Sequence, residues 1–416
     1  LPISKVRTIF QVPVEPLRVN VPEGIASLRT KDLSFLGEET QHGTHAIHPY
    51  VSAINPPLAR ELINAYLPSH GSVLDPFCGG GGVLVECLLA GRSCAGGEIN
   101  PLAVLISKAK TTYVNRDRLQ HQFTSVQENA HGILGTVHWR PSKQASYWFK
   151  RYMFEPLAAL KAAIDPIEEG DVKTLIKVVF SATIRDVMLT HRGEVRLRKL
   201  AGEDYEHFHP NVFDRFQKRA ELATERVSSL PEGSRADVDI RDARSLDYES
   251  NSFDAIVCSP PYADDKNGVS YFQFSRNMLE WLGYSSAQIS QYKNKHLGGD
   301  KDGRLPPSSE TLAACLDFVK RRNDQHHREA VAFYADYYKA LQEMKRVAKT
   351  WVIVVIGNRV LSRTYFDNGH ITVEFVKDLG LELHHYYQRR LPKKRIPDLG
   401  YDGGGTSTEH ILVFRK

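Results

Sequence analysis

Two hydrophobic rhythms divide the chain. Residues 1 to 58 follow neither: short apolar runs broken by prolines predict an irregular arm lying on something larger. Pro56 and Pro57 then open LARELINAYL, a helix with a proline-marked start. GSVLDPF predicts a short strand ending at Asp75, and GGGGVLVECLLAG a tight turn entering a helix. SCAGGEI predicts a second strand ending at Glu98, followed by NPLAVLISKAK as a second helix. This β-α-β-α succession signals a parallel sheet with helices on its faces.

The rhythm breaks between about 113 and 232, where helix-like segments dominate: Tyr147 to Ile164, Asp171 to Met188 and Asn211 to Ser229. It resumes with the strands ADVDIRDARSL and SFDAIVCSPPY. A long helix follows in HREAVAFYADYYKALQEMKRVAK, whose Val331, Tyr334, Tyr338, Leu341 and Met344 recur at helical spacing. The strand WVIVVIGN, the helix TVEFVKDLG and the strands ELHHYYQRRL and HILVFRK complete the series. The organisation expected is therefore an arm (1–58), a discontinuous sheet domain (59–112 and 233–416) and a mainly helical insertion (113–232). No internal repeat is visible. The stretch from Tyr262 to Pro307 is long for a loop. Its aromatics Tyr271, Phe272, Phe274, Trp281 and Tyr284 either form a platform beside a ligand or pack a short helix.

Composition narrows the class. Of 416 residues, 42% are apolar and 25% charged, as in a soluble globule with a sizeable core. Lysine plus arginine (54) exceeds aspartate plus glutamate (49), a net +5 that permits an anionic partner without requiring one. Five cysteines without a CxxC pair form neither a disulfide framework nor a tetrahedral zinc site. They fit a reducing compartment. No run is long and apolar enough to span a bilayer, and the first residues lack a signal-peptide pattern, so a cytoplasmic location is expected. His42, His45, His48, His326 and His327 fall in no metal-ligand spacing, and no metal is expected.

Two segments carry chemistry. DPFCGGGG, Asp75 to Gly82, follows a strand and enters a helix. Its glycines let the backbone turn sharply and let a ligand lie against the chain. It is neither GxGxxG nor a Walker loop. Glu98, ending the next strand, can accept hydrogens from both ribose hydroxyls of a nucleoside cofactor. The plainer reading is a structural turn with surface acids. CSPPY, Cys258 to Tyr262, ends another strand. Its prolines stiffen the chain and remove two donors, leaving carbonyls free to face a cleft. Ser259 and the Pro260 carbonyl can accept hydrogen bonds from an exocyclic amine, and Tyr262 can stack on a base held out of its helix. The plainer reading is a rigid turn closing the strand.

In this order the two motifs resemble the S-adenosylmethionine-dependent DNA amino-methyltransferases, which modify the N4 amine of cytosine or the N6 amine of adenine. DPFCGGGG looks like their cofactor loop and CSPPY like their catalytic tetrapeptide. The resemblance covers residues 40–112 and 235–416. It implies a Rossmann-like class I methyltransferase sheet of α/β type, mostly parallel with an antiparallel last strand (EHILVFRK), carrying a helical insertion. It implies S-adenosyl-L-methionine as cofactor. Asp75, Pro76, Phe77, Cys78, Gly79 and Gly81 would surround its methionine part. Glu98, Ile99 and Asn100 would hold the ribose, with Asp242 and Ala243 beside the adenine. THAIHPY, Thr44 to Tyr50, is similar to the segment that closes over the methionine, which adds His48 and Tyr50. Ser259, Pro260, Pro261 and Tyr262 would meet the target base.

Serine before PPY is commoner among cytosine-N4 members, so site-specific methylation of cytosine N4 in duplex DNA leads, with adenine N6 as the alternative. A structured-RNA methyltransferase and a non-catalytic nucleic-acid binder are the rivals from further off. Transfer would be direct, with the base flipped out. Carbon-5 chemistry would need a cysteine nucleophile in PCQ, which is absent, so Cys258 reads as a buried strand residue. A restriction endonuclease acting separately is the partner that the resemblance suggests. The insertion at 113–232 departs from the usual family position of the target-recognition region, beside the catalytic motif, so a recognition role for it is an inference. Basic residues gather in THRGEVRLRKL (Arg192, Arg196, Arg198, Lys199) and RRLPKKR (Arg389, Arg390, Lys393, Lys394). Both runs suit phosphate contacts or a solvated charged face.

Overall fold

The computed structural model describes residues 9–15, 17, 28, 31–51, 54–191, 197–262, 271–299, 308–391 and 408–416. Its strands are β1 (Phe10–Gln11), β2 (Ser72–Asp75), β3 (Ser93–Glu98), β4 (Asp237–Ile240), β5 (Phe253–Cys258), β6 (Ala348–Gly357), β7 (Arg359–Leu361), β8 (Thr364–Phe366), β9 (Glu382–Arg390) and β10 (Thr408–Arg415). A seven-stranded sheet runs β4-β3-β2-β5-β6-β10-β9. The pairs from β4 through β6 are parallel, and β10 is antiparallel to both its neighbours. This matches the expected sheet. From β2 the chain steps outward through β3 and β4, then returns to β5 on the other side. The strand order reverses between β2 and β5, and such a reversal opens a crevice at the carboxyl ends of the strands.

The helices between the first strands are α1 (Pro56–Tyr66), α2 (Gly82–Leu89) and α3 (Pro101–Lys110). Local chemistry starts each one. Asn55 and Asn100 accept hydrogen bonds from Leu58 N and Leu102 N, with proline at the first helical position. Gly81 caps α2 with φ +81°, and a Cβ there would lie 2.5 Å from Ser107 Oγ on α3. Only glycine satisfies both the turn and the close approach.

The block from 113 to 232 holds α4 (Arg116–Gly132), α5 (Lys143–Ser146), α6 (Phe154–Ile164), α7 (Asp171–Val187), α8 (Gly202–His207) and α9 (Val212–Val227). Helix α4 was not anticipated. It is polar around most of its surface, and only Leu119, Phe123, Val126 and Ala130 form a buried stripe. The core of this block does not stop at its own boundaries. It takes in Leu102, Ile106 and Ala109 of α3, and Phe274, Met278, Leu279 and Trp281 of α10 (Tyr271–Trp281). Trp281 is fully buried, edge-on to Phe149 at 5.9 Å and to Phe180 at 6.5 Å. Thus Phe274 and Trp281, read as candidates for a ligand platform, are core residues that join the two parts of the molecule. Helix α11 (Ser286–Asn294) follows with a Ser285–Gln288 capping box.

The chain then forms α12 (Glu310–Lys320), α13 (Asp324–Val347) and α14 (Asn368–Asp378). The apolar run of β6 divides by alternation. Val352, Val354 and Ile356 face α13 and α14, while Ile353 and Val355 share the other core with residues of α1 and α2. Both faces of the sheet are covered, which is why this strand reads as continuous apolar sequence. Of the arm, Phe10–Gln11 pairs with β8 in a three-stranded sheet, and Phe10 stacks on Phe318 at 3.9 Å. Among the described residues no helix is long and apolar enough to cross a membrane.

A shared core predicts a shared penalty. Trp281→Ala is expected to destabilise the protein by roughly 3–5 kcal/mol, the usual cost of truncating a buried large aromatic. Urea unfolding checks this, and a loss below about 1 kcal/mol would mean that α10 is not part of that core.

Candidate active site

A cavity of ≈330 Å³ occupies the crevice. The loop after β2 lines it with Asp75, Pro76, Phe77, Cys78 and Gly79, and the end of β3 and the residues after it with Glu98, Ile99 and Asn100. The turn after β4 gives Asp242 and Ala243, and the loop after β5 gives Ser259 and Pro261. Tyr50, Val51 and Ile54 of the arm close one side; Tyr271, Phe272, Lys293, Lys295, His296 and Leu297 close another. Motif reasoning missed Val51, Ile54, Val83, Arg241 and the wall that runs from Lys293 through Lys295 and His296 to Leu297. Tyr271 and Phe272 were visible as aromatics in an overlong connection; the wall carries no local signature.

Glu98 braces two loops. Its Oε1 accepts from Ile99 N (2.8 Å) and Asn100 N (2.9 Å), and its Oε2 from Gly79 N (3.2 Å). Asn100 is almost fully buried; its amide donates to Tyr50 Oη (3.1 Å) and Ser275 Oγ (2.8 Å), joining the arm to α10. Asp75 is 3% exposed, and its Oδ1 accepts from Phe77 N (3.0 Å). Burial pushes its carboxyl up to about 8; the Phe77 hydrogen bond opposes this and nearby Glu98 adds to it. Burial likewise pushes the Cys78 thiol well up, which keeps it a protonated, unreactive group. At Asp242 burial also works upward, but the Arg244 fork wins and holds the carboxyl below its usual value. Arg244 continues to the buried Asp336 (2.7 Å) and to Lys295 O (3.0 Å), and Asp336 accepts from Gly298 N (2.9 Å). This network ties the cavity wall to α13.

At the SPPY segment, Ser259 Oγ lies 3.1 Å from Tyr262 Oη, which donates to Glu409 Oε1 at 2.8 Å. Burial, then the Glu409 charge, pushes the phenol well above its usual range, so Tyr262 is a neutral donor. Asn368 holds the segment to the end of β6, donating to Gly357 O (2.8 Å) and Tyr262 O (3.4 Å).

Residues 30–109, which contain the arm end, the glycine loop and Glu98, match the family model "DNA methylase" of the N6/N4 methyltransferases. The Type II methyltransferase M.MvaI of Kocuria varians is 30% identical over 426 aligned positions, covering 92% of this chain and 93% of that one. The chain belongs to the N6/N4 DNA methylase family. It is an S-adenosylmethionine-dependent DNA methyltransferase. The Type II methyltransferase M.MjaII of Methanocaldococcus jannaschii is 34% identical over 79 residues, 19% of this chain and 15% of that one. Among solved structures, a SAM-dependent methyltransferase from Methanosarcina mazei aligns over 85% of this chain and 96% of its own, at 10% identity and a TM-score of 0.32. The rRNA methyltransferase aviRa of Streptomyces viridochromogenes aligns over 88% and 87%, at 11% identity and a TM-score of 0.29.

Several of the expected site residues do not line the cavity. His48 is fully buried behind the cavity: Nδ1 donates to Pro49 O (2.6 Å), so Nε2 accepts from Ser181 Oγ (3.0 Å). Burial lowers its pKa to about 3, and the neutral ring pins the arm to α7. Gly81 supports the loop from beneath. Pro260 and Tyr262 adjoin Ser259 without lining the cavity. Arg389 corrects the reading of the second basic run. It is 8% exposed, and its Nε donates to Glu409 Oε2 at 2.7 Å, so it is not available to phosphate. Alternation along β9 turns Arg389 inward and Arg390 outward. Arg198 is exposed, and Lys199 lies 3.6 Å above the Tyr147 ring. Arg192, Arg196, Lys393 and Lys394 fall outside the described residues.

No metal was expected from sequence spacing, yet the fold gathers three groups that can ligate one. His42 Nε2 and His45 Nε2 lie 2.6 and 2.8 Å from the same Glu86 Oε1. Those are hydrogen-bond distances, and the trio links the arm to α2 on that basis.

The Asp75 carboxyl sets a pH dependence. Its folded value, about 8, lies above the unfolded 3.8, so its contribution to stability is complete below pH 3.8 and is lost as pH rises through about 8. In the ligand-free protein, Asp75→Asn should flatten the fall in melting temperature across that window. An unchanged slope would show that Asp75 ionises normally.

Proposed function

We propose that the protein methylates the N4 amine of cytosine in duplex DNA, at a specific sequence and by direct transfer. The observation that carries this reading is Ser259: a serine opens the PPY segment and lines the cavity. S-adenosylmethionine supplies the methyl as an electrophilic sulfonium. Its ammonium and sulfonium charges suit a pocket whose acids, Asp75 and Glu98, stand at adjacent strand ends. Asp75, Phe77, Gly79 and Tyr50 would hold the methionine part. Glu98 would take the ribose hydroxyls, and Asp242 with Ala243 would border the adenine. The apolar sides of Phe77, Val83, Ile99 and Leu297 fit a flat base.

An aromatic amine is a poor nucleophile because its lone pair is delocalised into the ring. Ser259 Oγ and the Pro260 carbonyl accept the amine hydrogens and draw the nitrogen toward tetrahedral geometry, with the lone pair toward the methyl. The gain is proximity and electrostatic positioning. Neither proline of the segment has an N–H to compete for those acceptors. The base reaches this site only by leaving the helix, which costs a few kcal/mol of stacking and pairing, and the Tyr262 ring offers a replacement face. Arg198, Lys199 and Arg390 meet phosphates, and the helical block at 113–232 reads the target sequence. Both relatives are named Type II methyltransferases, which supports a role as the modification partner of a separately acting restriction endonuclease.

Incubation of duplex DNA with labelled cofactor, followed by nucleoside analysis, is expected to give N4-methylcytosine. N6-methyladenine instead would replace the base assignment, and label only in structured RNA would overturn it. Glu98→Ala is expected to weaken cofactor binding roughly 10- to 100-fold, the worth of charge-assisted hydrogen bonds. Calorimetry showing unchanged affinity would remove Glu98 from the ribose.

A further inference from the structure

We infer that Glu409, near the start of β10, is the end of a proton relay that leads from the target amine through Ser259 and Tyr262, with Arg389 as its positioning residue. The inference rests on amine methylation at Ser259, the reading given above.

The hydrogen bonds fix a direction. A hydroxyl has one hydrogen. Tyr262 gives its hydrogen to Glu409 Oε1 at 2.8 Å, so across the 3.1 Å contact Ser259 is the donor and the Tyr262 oxygen the acceptor. The Ser259 hydrogen is therefore spent inward, and its lone pairs are left for the cavity that the residue lines. An amine whose own lone pair is attacking has only hydrogens to offer, and this is the orientation that receives them. Without the carboxylate, Ser259 and Tyr262 can exchange roles and turn a hydrogen toward the amine. Glu409 faces a guanidinium on its other side. Arg389 Nε holds its other oxygen at 2.7 Å, with the two side chains 7% and 9% exposed.

The sheet sets this geometry. Glu409 pairs with Arg389 on β9 and with Gly357 on β6. Because β10 runs antiparallel, its first residues reach the edge at which the parallel strands end, beside SPPY. A parallel last strand would bring its final residues there instead.

The step balances. The amine nitrogen bonds to the methyl carbon as the carbon–sulfur bond breaks, leaving its electron pair on sulfur. The nitrogen then holds one proton too many. That proton passes to Ser259 Oγ, the Ser259 hydrogen to Tyr262 Oη, and the Tyr262 hydrogen to Glu409 Oε1. Both hydroxyls are restored, and the carboxylic acid releases its proton to water between turnovers. An ammonium on an electron-poor pyrimidine ring is a stronger acid than a carboxylic acid, so the transfer runs downhill even with Arg389 beside the acceptor.

Single-turnover methyl transfer tests the relay. Tyr262→Phe keeps the stacking ring and leaves Glu409 paired with Arg389. Glu409→Gln keeps an acceptor oxygen that cannot take a proton. Each is expected to slow transfer by tenfold or more, toward the ~10²-fold that general acid–base groups supply. Cofactor affinity and the KM for DNA should hold, and Glu409→Asp should recover part of the rate. Thermal unfolding of each variant identifies any loss that is merely structural. Tyr262→Phe at the wild-type rate would overturn the relay alone. A fast Glu409→Gln beside a slow Tyr262→Phe would remove Glu409 as its terminus. A wild-type protein that methylates no duplex would sink the functional reading, and the relay with it.

Discussion

The whole site hangs on the place where the strand order turns back. Between β2 and β5 the chain departs in opposite directions, and a crevice opens at the ends of those two strands. Both faces of the sheet are sealed by helices, and the carboxyl edge is the place left for polar side chains to converge. Asp75, Glu98, Asp242 and Ser259 all stand at or just past strand ends along that edge. The crevice is small enough to desolvate Asp75 strongly, which favours a cationic ligand beside it.

The second constraint is the direction of β10. As the one antiparallel strand of the main sheet, it delivers Glu409 to the edge where the other strands finish. Arg389 accompanies it from β9 because cross-strand partners share a face. A buried ion pair of this kind is poor evidence of stabilisation in itself, because desolvation offsets much of the attraction. Its significance is geometric: it holds a carboxylate against Tyr262 and leaves that phenol one way to donate. The helical block plays a comparable part on the other side of the cavity. Its core runs through Trp281 and Phe274, so the helix that carries Tyr271 and Phe272 is held from behind.

Much of the site was legible before the fold was known. DPFCGGGG and CSPPY are contiguous, and each sits on a strand end that local periodicity locates. Asp75, Phe77, Gly79, Glu98, Asn100, Asp242 and Ser259 accordingly line the cavity. His48 was misplaced because its segment is right but its ring points away, toward Ser181 of a helix far along the chain. Helix α4 escaped notice because four small or isolated apolar residues in a polar stretch give a weak stripe. The Lys293–Leu297 wall escaped because its place depends on Arg244 and Asp336, which approach it from other elements.

The amino-acid sequence by itself determined the order of the strands of the main sheet, the turn that only Gly81 can make and the chemistry offered at the two strand ends. These depend on neighbours within a few residues. What only the tertiary structure decided is which distant groups meet. The adjacent arginines 389 and 390 look alike in sequence, yet one is locked to Glu409 and the other faces solvent. Strand spacing says that they must differ, but not which turns inward, because that depends on register with β10. Tyr262 and Glu409 meet across 147 positions for the same reason. Short-range preferences shape the backbone, whereas strand direction and register decide which side chains share a volume.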